Sequence, residues 1–166
     1  MNSIRHLVPR PGLRHLAIAV AALSAPSAAG CAGHAPPAAA PEIRFIAPAR
    51  DWPFPFSPAV RVGHMVYLSG QIGTRMQDGR PVLVPGGIEA ETRQTLENIR
   101  AIVHESGSSM DRVVKCTVMM ADMREWPAMN AIYARAFPRN LPARSAFGAT
   151  ALALGARVEI ECIAAA

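Results

Sequence analysis

Two periodicities run along the chain and predict a small set of elements. Alternating or β-branched runs mark strands, and apolar residues three and four apart mark helices. "AVRV" and "MVYLSG" flank Gly63-His64 and read as two strands joined by a tight hairpin. The following stretch is rich in turn residues, with a short strand at 81–84. Ile88, Leu96, Ile99 and Val103 then repeat at helical spacing with Glu and Arg between them. They predict a helix over 88–106, ended by Gly107. "RVVKCTVMM" is a β-branched run and a third major strand. Asp122 and Glu125 have the spacing of a capping box and open a second helix that runs to about Phe137. Trp126, Met129, Tyr133 and Phe137 line its expected buried side. Strands at 143–149 and 157–164 close the chain.

The order ββ-α-β-α-ββ describes an α+β domain, a mixed sheet with two helices on one face. Strand alternation then exposes a difficulty. In "VVKCTVMM", Val114, Cys116, Val118 and Met120 share one face, while Val113 and Met119 lie on the other beside Lys115 and Thr117. If helices cover one face only, an apolar second face stays open, and such patches mark interfaces. The domain is expected to self-associate.

The last strand, "VEIEC", sets Glu159 and Glu161 on one face, opposite Val158, Ile160 and Cys162. Two carboxylates are costly to bury without partners. Arg144 on the preceding strand is a natural partner, because its planar fork binds carboxylates in bidentate fashion. Two readings stay open. One is a salt bridge at a sheet edge or subunit interface. In the other, Arg144 holds a substrate carboxylate while a glutamate positions or deprotonates water. Burial would raise the pKa of such a glutamate and Arg144 would lower it.

Composition changes the picture mainly at the N-terminus. Residues 1–31 contain Arg5, Arg10 and Arg14 and no acidic residue, then the apolar "LAIAVAALSA" and small residues up to Cys31. This reads as a signal peptide, and "SAAGC" resembles a lipoprotein processing site at Cys31. The reading favours lipidation over plain secretion. The protein is then exported to the periplasm or cell envelope, and a lipid anchor is its only expected link to a membrane. Residues 32–50 are rich in Ala and Pro and are expected to form a tether; residues 51–166 form the domain. The leader also holds three of the 17 Lys and Arg and none of the 12 Asp and Glu, so the rest carries 14 against 12, a net of +2. That balance, without basic residues interleaved with aromatics, gives no reason to expect a nucleic-acid partner. Cys116 and Cys162 can pair in an exported protein, but spacing does not show whether their strands adjoin, and two buried free thiols are the favoured reading.

Candidate chemistry is sparse. Only His64 and His104 lie in the domain, one in a turn and one near a helix end. No metal-ligand cluster, Ser-His-Asp arrangement or phosphate-binding glycine pattern stands out. Arginine, carboxylate, hydroxyl and backbone remain.

The segments "YLSGQIG", "GGIEAETRQTLENIRAIVHESGSSMDRVVKCTVMMADM", "MNAIYARAF", "LPARSAF" and "VEIECIA" together resemble the reactive intermediate deaminase family (Rid, or YjgF-like), in that family's order and across nearly the whole domain. The resemblance implies a chorismate-mutase-like fold and a homotrimer with three inter-subunit clefts. It implies hydrolysis of small enamines and imines such as 2-aminoacrylate to 2-keto acids and ammonia, with no cofactor or metal. By motif, Arg144 clamps the substrate carboxylate and Glu159 orients or activates water. Ser69, Gly70 and, more peripherally, Asn130 line the cleft. Phe56 falls where many deaminating members carry tyrosine, so the aromatic wall is kept without the hydroxyl. The alternative is an envelope protein that binds small carboxylates in the same clefts without turnover.

Overall fold

The computed structural model describes residues 39–46 and 54–166, which belong to one compact unit. The expected signal peptide and Cys31 lie outside the described residues.

Among the described residues nine strands and two α-helices follow one another. The strands are β1 (Ile43–Phe45), β2 (Ala59–Val62), β3 (Met65–Leu68), β4 (Gln71–Ile72), β5 (Thr74–Gln77), β6 (Arg80–Leu83), β7 (Val113–Met120), β8 (Ala143–Gly148) and β9 (Val158–Ala165). Helix α1 (Gly87–Glu105) precedes β7, and α2 (Trp126–Ala136) links β7 to β8. The main sheet runs β1-β2-β3-β9-β7-β8, with β4 also paired to β9. All its pairings are antiparallel except β7 with β8. A parallel pair needs a long crossover, and α2 supplies it. The hairpin β5-β6 stands as a separate small sheet.

β1 lies within residues 32–50, the expected tether. Ile43, Arg44 and Phe45 pair with Val62, Arg61 and Val60, and Ile46 is buried. Ordered structure therefore begins upstream of the expected boundary, because an edge strand can be recruited through backbone hydrogen bonds whatever its flanking composition.

Local chemistry accounts for the helix ends. Gly86 and Gly87 both hold positive φ, so the turn into α1 needs glycine. At the other end Gly107 is left-handed, Ser108 N–H donates to Val103 O, and Gly107 N–H donates to His104 O. These two bonds are the Schellman closure. The expected capping box takes a different form. Asp122 accepts from the Arg124 backbone N–H and heads a single 3-10 turn, Met123–Glu125, before α2. Glu125 does not reach back to Asp122. It pairs with Arg157, whose Nε lies 3.0 and 2.9 Å from its two carboxyl oxygens. Arg124 holds the Asp122 carboxyl down at about 2 by hydrogen bonding.

Both helices pack on one face of the sheet around a core of Leu96, Ile99 and Val103 from α1, Met129 and Tyr133 from α2, and Val66, Cys116, Val118, Met120, Val158 and Ile160 from the strands. The expected alternation of β7 is interrupted at Val114. The register shifts between Val113 and Lys115, so Val113 is buried and Val114 exposed. A β-bulge turns the strand by one residue, which periodicity alone does not reveal.

The opposite face of the sheet carries Phe45, Tyr67 and Phe147, all exposed, together with Met119, Ile163 and the two glutamates. Cys116 and Cys162 are direct partners on β7 and β9 and form a disulfide under the helices. This corrects the reading of two free thiols: antiparallel neighbours place the sulfurs face to face.

Candidate active site

Arg144 sits on the edge strand β8, and its pairing sets its direction. Its partner on β7 is Cys116, so the side chain points to the helix-covered face. There α2 presents Trp126, Asn130 and Tyr133, residues four and three apart on one side of the helix. Arg144 Nη2 donates to Asn130 Oδ1 at 2.8 Å. Its Cζ lies 4.8 Å from the Trp126 ring centroid and 4.5 Å from that of Tyr133. No carboxylate of the described residues forms an ion pair with it. Among the described residues this half-buried guanidinium has one hydrogen bond and no ion-pair partner, an arrangement that can accept an anion. Burial pushes the Tyr133 hydroxyl up to about 12, against the pull of the Arg144 cation, and among the described residues that hydroxyl has no hydrogen-bond partner.

Glu159 points to the other face. It lies on one rung with Ile72 of β4 and Met119 of β7, and Met119 in turn pairs with Phe147 of β8. Glu161 follows two residues on, beside Thr117. Within one chain, then, Arg144 and Glu159 lie on opposite faces of the sheet and form no salt bridge, so of the two readings a salt bridge within one chain's sheet is excluded. The electrostatics agree: burial first, then the neighbouring Glu161 charge, raise the Glu159 carboxyl above the ordinary glutamate range. Arg144 is too far away to oppose them.

Ser69 and Gly70 stand with Glu159. An ideal Cβ at Gly70 would lie 2.1 Å from Glu159 Oε1, so the missing side chain makes room for the carboxylate. Gly70 has no positive φ; it is needed for space and not for backbone conformation. The Ser69 hydroxyl donates to Ser57 O at 2.7 Å, and its N–H donates to Pro58 O at 2.9 Å. Gln71 Nε2 donates to the carbonyls of both Ser69 and Gly70, at 3.1 Å each. These bonds hold residues 57–58 against the Ser69-Gly70 turn. Phe56, at the end of that segment, is exposed and stacks on Phe54 at 5.4 Å between centroids.

The sequence-predicted site residues thus divide into two half-sites. Arg144 and Asn130 form one on the helix side. Glu159 and Gly70, with Ser69 and the Phe56 segment tied to them, form the other. Helical periodicity marks Trp126 and Tyr133 only as core; their spacing about Asn130 is the available signal that they also face Arg144. Gln71 gave no signal beyond its place after Ser69-Gly70. Among the described residues no three His, Cys, Asp or Glu side chains converge as metal ligands would.

Comparison with known proteins places the chain. Residues 50–166 match the family model described as endoribonuclease L-PSP. Over 110 residues the chain is 44% identical to the 2-iminobutanoate/2-iminopropanoate deaminase of Mus musculus, covering 66% of this chain and 80% of the mouse protein. The RidA crystal structure from the Antarctic bacterium Psychrobacter sp. PAMC 21119 superposes with a TM-score of 0.63 at 36% identity, over 73% of this chain and 94% of that one. The YjgF gene product of E. coli superposes with a TM-score of 0.66 at 32% identity, over 74% and 98%.

Proposed function

The chain belongs to the endoribonuclease L-PSP family, which includes the Rid and YjgF proteins, and from that premise we propose that it deaminates small imines by hydrolysis. The substrate class is an enamine or imine next to a carboxylate, such as 2-aminoacrylate and its imine tautomer. The products are a 2-keto acid and ammonia.

The observation that carries this reading is a guanidinium with no ion-pair partner among the described residues and a carboxylate of raised pKa on opposite faces of one sheet. A second copy must supply the missing half. With the Arg144 half-site of one subunit against the Glu159 half-site of its neighbour, the substrate carboxylate docks on Arg144 and its imine carbon faces Glu159. Water adds to the carbon of the protonated imine as Glu159 takes one water proton, leaving a neutral carbinolamine. Glu159 returns that proton to the nitrogen, the C–N bond breaks to release ammonia, and the hydroxyl proton passes back to Glu159 as the C=O of the keto acid forms. An imine carbon is already electrophilic, so orientation plus one proton-transfer group is sufficient machinery. A carboxylate raised toward neutrality is better matched to both proton steps than an ordinary one.

The exposed Phe45, Tyr67 and Phe147 on the uncovered face support association, and a homotrimer with three shared clefts is the assembly proposed. An RNA substrate is disfavoured by the net charge of only +2 beyond the leader. Export to the periplasm or envelope is part of the proposal, with Cys31 as the lipid attachment point. The Cys116–Cys162 disulfide supports an oxidising compartment.

A second reading, binding of small carboxylates without turnover, is favoured by one observation: Phe56, next to the Ser57 whose carbonyl accepts from Ser69, offers a ring and no hydroxyl. One experiment separates the two. An amino-acid oxidase generates imines in place, and 2-keto acid release is followed with and without the protein. Deamination predicts release faster than in buffer and abolished by Arg144→Ala. Release at the buffer rate across several amino acids, with thermal stabilisation by 2-keto acids, would establish the binding reading instead.

A further inference from the structure

Arginine is a poor clamp unless something holds its plane. Its long side chain is rich in rotamers, and Asn130 restrains it through a single N–H. The Trp126 and Tyr133 rings lie within cation–π distance of the same guanidinium, 4.8 and 4.5 Å from Cζ. A ring face attracts the guanidinium face and consumes none of its N–H donors. Stacking can therefore fix the plane while all N–H groups but the one on Asn130 stay available to a carboxylate. Both rings also replace water over the cation, which strengthens any charge pairing made at its edge.

The two rings differ in how firmly they are placed. Tyr133 is buried in the core and packs on Phe137 at 4.9 Å between centroids. Trp126 is the first residue of α2, half-buried, just after the 3-10 turn headed by Asp122. Glu125, immediately before it, is anchored to Arg157, the residue that directly precedes β9. The helix start is thus tied to the strand that carries Glu159, and the indole is held over Arg144 by that tie.

We infer that Trp126 is a positioning residue for the Arg144 clamp, its indole face fixing the guanidinium plane so that the N–H edge meets the substrate carboxylate. This rests on the carboxylate-clamp reading above. Trp126 is not assigned contact with the reacting atoms; it acts through Arg144.

The test uses the full-length protein and 2-ketobutyrate, a stable carboxylate of the product class, with affinity measured by calorimetry. Trp126→Leu, which keeps apolar bulk and removes the ring, should weaken binding by about tenfold, the scale of one partly desolvated cation–π contact. With in-place imines KM should rise by a similar factor while kcat stays within about twofold. Trp126→Phe should restore most of the affinity. A folded Leu variant with wild-type affinity would overturn the inference, as would a Phe variant as weak as the Leu variant. If the Leu variant does not fold, emission decides. The chain has two tryptophans, Trp52 and Trp126. In a Trp52→Phe background, saturating 2-ketobutyrate should change Trp126 emission, and Arg144→Ala should abolish the change. Unchanged emission with calorimetric binding intact overturns the inference alone. A wild-type protein that binds no carboxylate at all sinks the clamp reading first.

Discussion

Gly70→Ala tests the Glu159 half-site with one methyl group. An ideal Cβ there would lie 2.1 Å from Glu159 Oε1, 3.0 Å from Cδ and 3.3 Å from Cγ. Carbon–oxygen contacts settle at about 3.3–3.6 Å, so the oxygen must retreat by more than about 1 Å. A displacement of about 1 Å at a reacting group costs about 10²-fold in rate, or about 2.7 kcal/mol of activation energy. The expected outcome is a fall of about 10² in kcat. KM should change by less than about threefold, because Arg144 holds the carboxylate from a different half-site. Stability should suffer little. The obstructing atoms are the end of a flexible side chain, and Gly70 has no left-handed φ that alanine would strain. A fall in Tm of no more than about 5 °C is expected. The assay is 2-keto acid release from imines made in place, beside a thermal melt of the same preparation. A folded Gly70→Ala protein with wild-type kcat would refute the role of Glu159. So would a large rise in KM with kcat unchanged, since the methyl would then be blocking substrate.

Five further outcomes follow from the same geometry. Arg144→Ala should weaken 2-ketobutyrate binding by about 10²-fold in calorimetry, the scale of two charge-assisted hydrogen bonds. Because the Glu159 carboxyl is raised by burial and by Glu161, the acidic limb of kcat/KM should fall above the ordinary glutamate range, as a pH–rate profile would show. The same raised pKa has a stability sign. Its contribution is full below the unfolded value and is lost as pH rises through the folded one, so Glu159→Gln should melt higher than wild type at neutral pH while losing turnover. The disulfide closes a separation of 46 residues, and chain entropy puts its contribution near 4 kcal/mol at most; urea unfolding with and without reductant should show a loss of about 2–4 kcal/mol. Finally, Arg144→Ala and Glu159→Gln subunits, unfolded together and reassembled, should regain activity in about a quarter of the shared clefts. Neither variant should recover alone, and a mixture with no gain would show that the two half-sites do not meet between copies.

Much of the architecture was readable from local pattern. Both helices, the Gly63-His64 hairpin, the strand after α1 and the two closing strands follow from periodicities that each element must satisfy by itself. The strand β1 and the bulge at Val114 were not readable in that way. An edge strand of three residues has no periodicity to speak of, and a bulge is a relation between two strands. Exchanging Asp122–Glu125 capping for a Glu125–Arg157 ion pair likewise depended on what α2 packs beside.

The candidate site divides in the same way. Alternation within β9 by itself determined that Glu159 and Glu161 share a face, because successive side chains in any strand point oppositely. The residue types left arginine, carboxylate, hydroxyl and backbone chemistry on offer. Whether Arg144 meets Glu159 was decided by pairing between strands: the register that aligns Cys116 with both Cys162 and Arg144 turns the arginine to the helix face and closes the disulfide there. The empty space at Gly70 and the indole over Arg144 are likewise tertiary. Side-chain direction is local to a strand, but which side chains face each other depends on register, and register is set by the whole sheet.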